Sequence, residues 1–216
     1  AERAWAMVRE FFGNMRLGHE HEVWVEDSGA MPRARPLEDC LAALEEQGLD
    51  FARADRGCRM SAQVRLDGPV EGVTFTEKVR DGVAEPLEVG CELAIRLPRL
   101  ARVLYAAGVR TVLVGSPARF SLRSYHRFGL AFDVYKIELD EGTTLVGKDD
   151  YVLQSDRETC EGDPPEEPGG AKLREIACAV WDERVLSTVI TPNYNEGHHD
   201  HFHWDVRPGD ERFYLR

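Results

Sequence analysis

Four of the chain's seven histidines fall within six residues, at positions 198, 199, 201 and 203. Imidazole is both a neutral metal ligand and a base that titrates near neutrality, so such a cluster is a candidate for chemistry. If the chain runs as a strand from His201, alternation sorts it into two sets. His201, His203 and Asp205 point one way; Phe202, Trp204 and Val206 point the other. The apolar set belongs against a core, which displays two imidazoles and a carboxylate together on the opposite face. Crowding imidazoles without a partner is costly. A metal ion removes that cost by taking neutral imidazole as a ligand. The competing readings are a surface histidine cluster and an expression tag. A tag is terminal polyhistidine, whereas this run is interleaved with Phe, Trp and Asp inside the chain.

A second group lies upstream, in Ser124-Tyr125-His126-Arg127-Phe128-Gly129-Leu130-Ala131-Phe132-Asp133. Taken as a strand from Leu130, it turns Leu130, Phe132 and Val134 to the core and Asp133 to the other face. His126 sits before the strand, across a turn that Gly129 permits. A loop histidine and a strand aspartate can converge, and both are ligand types that zinc accepts. By themselves the two residues fit equally an ordinary Asp–His hydrogen bond on a sheet surface.

The elements that must position these groups are read from periodicity. Trp5, Val8, Phe12 and Met15 predict a helix over residues 1–15, and Glu22–Val25 a short strand. Leu37–Leu44 is a helix with Leu37, Cys40, Leu41 and Leu44 on one face. Gln63–Leu66 and Gly72–Val79 are strands around the turn Asp67-Gly68-Pro69. A helix runs over Glu92–Ala107 and is ended by Gly108; Pro98 either kinks it or marks its first turn. Thr111–Val114 and Leu130–Leu139 are strands, and residues 161–170 an acidic Pro/Gly loop. A last helix buries Leu173, Ile176, Ala177, Val180 and Trp181, before strands at Ser187–Thr191 and His201–Arg207. There is no internal repeat and no βαβ rhythm. The expectation is an α+β fold in one domain over residues 31–216, with residues 1–30 a helical appendage.

Composition narrows the function classes. A net charge of −12 argues against nucleic-acid binding and against adsorption to anionic lipid, since both need a basic surface. Apolar residues at 43% suffice for a core, and no apolar run approaches the ~18 residues of a membrane helix. The opening AERAWAMVREFF has charges inside its apolar stretch and does not read as a signal peptide. The cysteines, at 40, 58, 91, 160 and 178, form no CxxC pair, which argues against a cysteine-rich zinc ribbon. Two gaps, 40 to 58 and 160 to 178, are both 18 residues. Each suits a disulfide loop, and closing one stabilises by roughly 3 kcal/mol in the chain-entropy model. Five reduced, buried thiols are the alternative.

The two histidine groups together resemble a known superfamily. Ser124-x-His126-x-x-Gly129-x-Ala131-x-Asp133 fits the SxHxxGxAxD motif, and His201-x-His203 the downstream HxH motif. The pair resembles the LAS zinc metallopeptidases: lysostaphin-type enzymes, D-Ala-D-Ala peptidases and the hedgehog signalling domain. Within it the chain most resembles the bacterial extensin-like C-terminal family. The shared segments include Thr191-Pro192-Asn193-Tyr194-Asn195, His198, and Asp200-His201-Phe202-His203-x-Asp205. Weaker matches extend upstream to Cys40, Gly48-Leu49-Asp50-Phe51, Cys58, Val64-Arg65-Leu66, Gly72-Val73 and Cys91-Glu92-Leu93-Ala94, so the likeness covers roughly residues 37–207.

The resemblance implies an antiparallel sheet core with flanking helices, and zinc held by His126, Asp133 and His203 with an open fourth position. His201 matches an active-site histidine that is not a ligand. His198 matches a further one in a related murein endopeptidase. The D-Ala-D-Ala peptidases place a glutamate where this chain has Asp200, so either His201 or Asp200 takes the proton. Asp205 either orients an imidazole or is a plain surface carboxylate. Arg119 or Arg123 is placed to bind a substrate carboxylate or the developing oxyanion, or is simply a solvated charge, and Ser124 belongs to the same surroundings. The extensin-like relatives carry a cysteine shortly before the SxH motif; this chain has Ser116, Arg119 and Ser121 there. The expected bridges are therefore Cys40–Cys58 and Cys160–Cys178, with Cys91 left over. The implied substrate is the stem peptide of bacterial peptidoglycan, cut at a D-Ala-containing bond by a periplasmic or secreted enzyme. The alternative is a non-catalytic zinc-containing cell-wall-binding or signalling module of the same fold. A metal-storage protein is disfavoured, because the ligands are spread over about 80 residues.

Overall fold

The computed structural model describes residues 35–54, 62–78, 84–115, 117, 124–154, 158–210 and 212–216. The expected helix over 1–15, the strand Glu22–Val25, the 1–30 appendage, Cys58, Arg119 and Arg123 lie outside the described residues.

The fold is mixed α+β, as expected, built on two sheets. Helix α1 (Leu37–Glu46) follows Pro36, carries Glu38 and Asp39 in its first turn, and buries Cys40, Leu41 and Leu44. The acidic first turn complements the helix dipole. Strands β1 (Phe51–Ala54), β2 (Gln63–Leu66) and β5 (Glu88–Gly90) form a small antiparallel sheet in the order β1-β2-β5. Neither β1 nor β5 was legible as a strand in the sequence, because each is short and flanked by charge.

The expected helix over Glu92–Ala107 is in fact two helices, α2 (Cys91–Ala94) and α3 (Leu97–Ala106), with a turn at Ile95 and Arg96. Pro98 stands in the first turn of α3, where its missing N–H costs nothing. Leu97, Leu100, Ala101 and Leu104 are buried, and Gly108 follows the end with φ +85°.

The larger sheet contains β3 (Thr74–Lys78), β4 (Ala84–Pro86), β6 (Val109–Gly115), β7 (Ala131–Leu139), β8 (Thr144–Val146), β9 (Thr188–Ile190), β10 (Phe202–Asp205) and β11 (Tyr214–Leu215). Its order is β11-β9-β10-β7-β6-β3-β4, with β8 also pairing β7. The implied antiparallel sheet is corrected here: β3–β6 and β9–β11 are parallel. Helix α4 (Gly147–Asp150) is a single turn. Helix α5 (Pro168–Asp182) buries Leu173, Ile176, Ala177 and Val180 and begins inside the expected 161–170 loop. Gly170 permits that start, since a Cβ there would lie 2.5 Å from Val152 Cγ2.

The cysteines pair as Cys40–Cys91 and Cys160–Cys178. The second bridge is the one expected. The expected Cys40–Cys58 bridge and the unpaired Cys91 are overturned: packing α1 against α2 brings Cys40 and Cys91 to a Cα separation of 6.2 Å. Among the described residues no helix is long and apolar enough to cross a membrane.

Candidate metal centre

His126 lies on a 3₁₀ turn, Tyr125–Phe128. Ser124 precedes the turn and its hydroxyl accepts from the His126 N–H at 3.4 Å, so Ser124 holds the turn. Gly129, φ +66°, ends the turn and launches β7. The small sheet braces this corner: Gly90 N–H donates to the Gly129 carbonyl at 2.8 Å. A Cβ on Gly90 would lie 2.9 Å from Phe128 O, so only glycine allows the approach.

The ladder does the rest. β10 pairs with β7 in a register that puts His203 opposite Asp133 and Trp204 opposite Phe132. The polar face of one strand therefore meets the polar face of the other, and the apolar faces coincide as well. Phe132 and Trp204 pack edge to face in the core.

On the polar face three ligand atoms converge. His126 Nε2 lies 3.1 Å from Asp133 Oδ1 and 3.1 Å from His203 Nδ1, and His203 Nδ1 lies 3.0 Å from Asp133 Oδ1. All three residues are buried, and their ligand atoms lie within 4.8 Å of one another. Burial alone would raise the Asp133 pKa, but hydrogen bonds from His126 and His203 hold it well below the usual carboxylate range. Burial likewise opposes a charged His203, yet Asp133 and then Asp205 raise it to about 9.

The donor set fits a metal such as zinc: two imidazole nitrogens and one carboxylate oxygen. Each imidazole meets the centre through one defined nitrogen. His203 does so through Nδ1, while its Nε2 lies 3.3 Å from Asp205 Oδ2. A buried carboxylate behind a ligating histidine fixes the tautomer and strengthens the ligand. Asp205 is itself held by the buried Arg207, whose Nε donates to Oδ1 at 3.2 Å. Arg207 also donates to the Thr188 hydroxyl, and its backbone N–H donates to Ser187 Oγ at 2.9 Å. Desolvation pushes the Asp205 pKa up, but His203 and Arg207 bring it below the ordinary value.

The non-ligand histidines are oriented by acceptors. His201 Nδ1 lies 2.7 Å from Asp200 Oδ1, so Nδ1 carries the hydrogen and donates. Its Nε2 lies 3.5 Å from Asp133 Oδ1. Burial raises the Asp200 pKa and the hydrogen bond from His201 more than reverses this. His198 Nδ1 donates to Asn195 Oδ1 at 2.8 Å, and its ring lies 5.2 Å from that of His201. His199 is exposed and turns back to the Glu196 carbonyl.

The structure thus gathers His126, Asp133, His203, Asp205, His201, Asp200 and His198. Sequence reasoning missed Arg207, Asn195 and Tyr135, whose ring stands 5.1 Å from that of His201. Two of these were within reach. Arg207 continues the alternation of 201, 203 and 205, and Tyr135 lies two residues beyond Asp133.

Residues 38–214 match the family described as Extensin-like protein C-terminus. No curated protein and no solved structure gives a significant match. With the match spanning the small sheet, both bridges and every residue of the centre, the chain belongs to the extensin-like C-terminal family.

Proposed function

We propose that the protein is a zinc-dependent peptidase of the LAS superfamily, hydrolysing D-Ala-containing peptide bonds of bacterial peptidoglycan. The observation that carries this reading is a buried His–Asp–His donor set flanked by a histidine that is oriented but not used as a ligand. A purely structural metal site has no use for such a group. His126, Asp133 and His203 would hold the zinc, which would act as a Lewis acid toward the scissile carbonyl and the attacking water.

The protein residues then have distinct tasks. His201 takes a proton at Nε2 and returns it to the leaving amine. Asp200 accepts from Nδ1 and stabilises the imidazolium, so it acts as the orienting group and His201 as the base. His198 adds a second donor on the same side, aligned by Asn195. Asp205 and Arg207 anchor His203 from behind. The two disulfides support an oxidising compartment, hence a periplasmic or secreted site of action beside its substrate.

The test is digestion of purified murein with zinc-loaded protein, read by mass spectrometry of released peptides, with metal content measured in parallel. Fragments ending at D-Ala bonds are expected, and chelation should stop their release. A protein that holds stoichiometric zinc but cuts no murein type is instead a zinc-containing binding or signalling module.

A further inference from the structure

Strand β7 contains one residue more than its partner needs. Leu113 of β6 stands opposite Lys136, and Val114, the next residue, opposite Val134. Tyr135 is the extra residue, and the β-bulge reverses the phase of the strand. Before it the core residues are Phe132 and Val134; after it they are Ile137 and Leu139. A bulge beside a functional centre typically re-aims a side chain. Here the bulge turns Lys136 away from the core and leaves Tyr135 on the face of Asp133, where its ring stands 5.1 Å from that of His201 at an interplanar angle of 39°.

A second observation concerns the space this ring occupies. Gly115 ends β6 and pairs with Asp133. A Cβ on Gly115 would lie 2.4 Å from Tyr135 Cε2 and 3.1 Å from Cδ2. The ring therefore lies directly over Gly115, in room that only glycine leaves. Strand alternation and glycine together bring the ring beside His201.

We propose that Tyr135 is a positioning residue: its ring, seated on Gly115, fixes the plane of the His201 imidazole so that Nδ1 stays on Asp200 and Nε2 stays turned to the metal face. This deepens the proposed peptidase reading, in which His201 is the base. A hydrogen bond to Asp200 fixes one ring atom but leaves rotation about that bond; a ring packed at 39° beside the imidazole restricts it. The contact with His201 is made by the ring, which Tyr135→Phe preserves.

The experiment uses zinc-loaded full chain with Tyr135→Phe, Tyr135→Leu, Tyr135→Ala and Gly115→Ala. Histidine ¹⁵N NMR reads the His201 tautomer, and murein digestion reads kcat and KM separately. Tyr135→Phe should retain the wild-type His201 signal and rate. Tyr135→Leu and Tyr135→Ala should broaden or split that signal and lower kcat by about 10-fold or more, with KM and zinc content unchanged. Gly115→Ala should reproduce that signature in the wild-type background and add nothing in the Tyr135→Ala background. An undisturbed His201 signal in both Tyr135→Leu and Tyr135→Ala would overturn the proposal. So would a Tyr135→Phe variant as impaired as Tyr135→Ala, which would assign the role to the hydroxyl. If the wild type cuts no murein, the peptidase reading fails, while the NMR arm still decides whether Tyr135 orients His201.

Discussion

The residues in and around β10 present two faces that are equally buried and chemically opposite. Phe202, Trp204 and Val206 lie on one, His201, His203, Asp205 and Arg207 on the other, and none is more than 8% exposed. The apolar face stabilises by burial alone, at about 1.5–3 kcal/mol for each large side chain. The polar face gains nothing from burial until every group on it is satisfied. It solves this by a relay: Thr188 to Arg207, Arg207 to Asp205, Asp205 to His203, and His203 to Asp133 and His126. The relay ends in three ligand atoms that face one another, the arrangement a cation completes. One face therefore holds the fold by burial alone, and the other through paired polar groups.

That contrast is best broken by paired substitutions. His203→Ala should abolish zinc binding and all peptide release. Its thermal unfolding should no longer respond to added zinc, because the ion's binding energy is partly folding energy. Trp204→Ala should cost about 3–5 kcal/mol, by an equal amount with and without zinc. Zinc titrations followed by calorimetry separate the two; a His203→Ala protein that still gains stability from zinc would assign the metal elsewhere.

Within the polar face, ligand and base should also separate. His201→Ala should keep the metal and lose roughly 10²- to 10⁴-fold in rate. Asp200→Asn should fall short of that loss, because it removes the negative charge behind the imidazolium and leaves the base. Equal losses in murein release would make Asp200 the base.

Next in size are the bridges. Cys40–Cys91 closes a separation of 51 residues and Cys160–Cys178 one of 18. In the chain-entropy model these contribute roughly 4 and roughly 3 kcal/mol. Paired Cys→Ser variants should lower denaturation midpoints in that order with zinc content intact. Peptide mapping without reduction should recover Cys40 linked to Cys91; a Cys40–Cys58 peptide would contradict the fold around α1 and α2.

The smallest expected effect is a proton. In the metal-free protein His203 is raised from its ordinary value of 6.5 to about 9 by Asp133 and Asp205. Its charged form thus supports the metal-free fold fully below about pH 6.5, and that support is lost as pH rises through about 9. Zinc needs the neutral ring, so uptake at pH 7 to 8 should release about one proton from His203. Affinity should rise with pH until about 9. Titration calorimetry in buffers of different ionisation enthalpy measures the release; none at all would mean a neutral His203 before metal arrives.

Much of this was legible in the residues. Alternation in 201–206 separated the ligand face from the core face, and the same period extends to Arg207. The helices α1, α3 and α5 declared themselves by their apolar spacing, whereas Pro98 fitted either a kink or a first turn until the fold placed it in the first turn of α3. The phase change at Tyr135 is also written in the chain, where core residues switch from 132 and 134 to 137 and 139. It was read as one unbroken strand because no neighbour was at hand to show the extra residue.

What the chain determined by itself was which donors exist and which face each strand turns inward, since periodicity is a local property of consecutive residues. The tertiary structure decided who meets whom. The register opposing His203 to Asp133 and the seat of Tyr135 on Gly115 both depend on partners distant in the chain. So did the Cys40–Cys91 bridge. Loop-closure entropy grows only as the logarithm of length, so 51 residues against 18 differ by about 1 kcal/mol. Equal spacings therefore carry almost no information about pairing, and the packing of α1 on α2 made the choice.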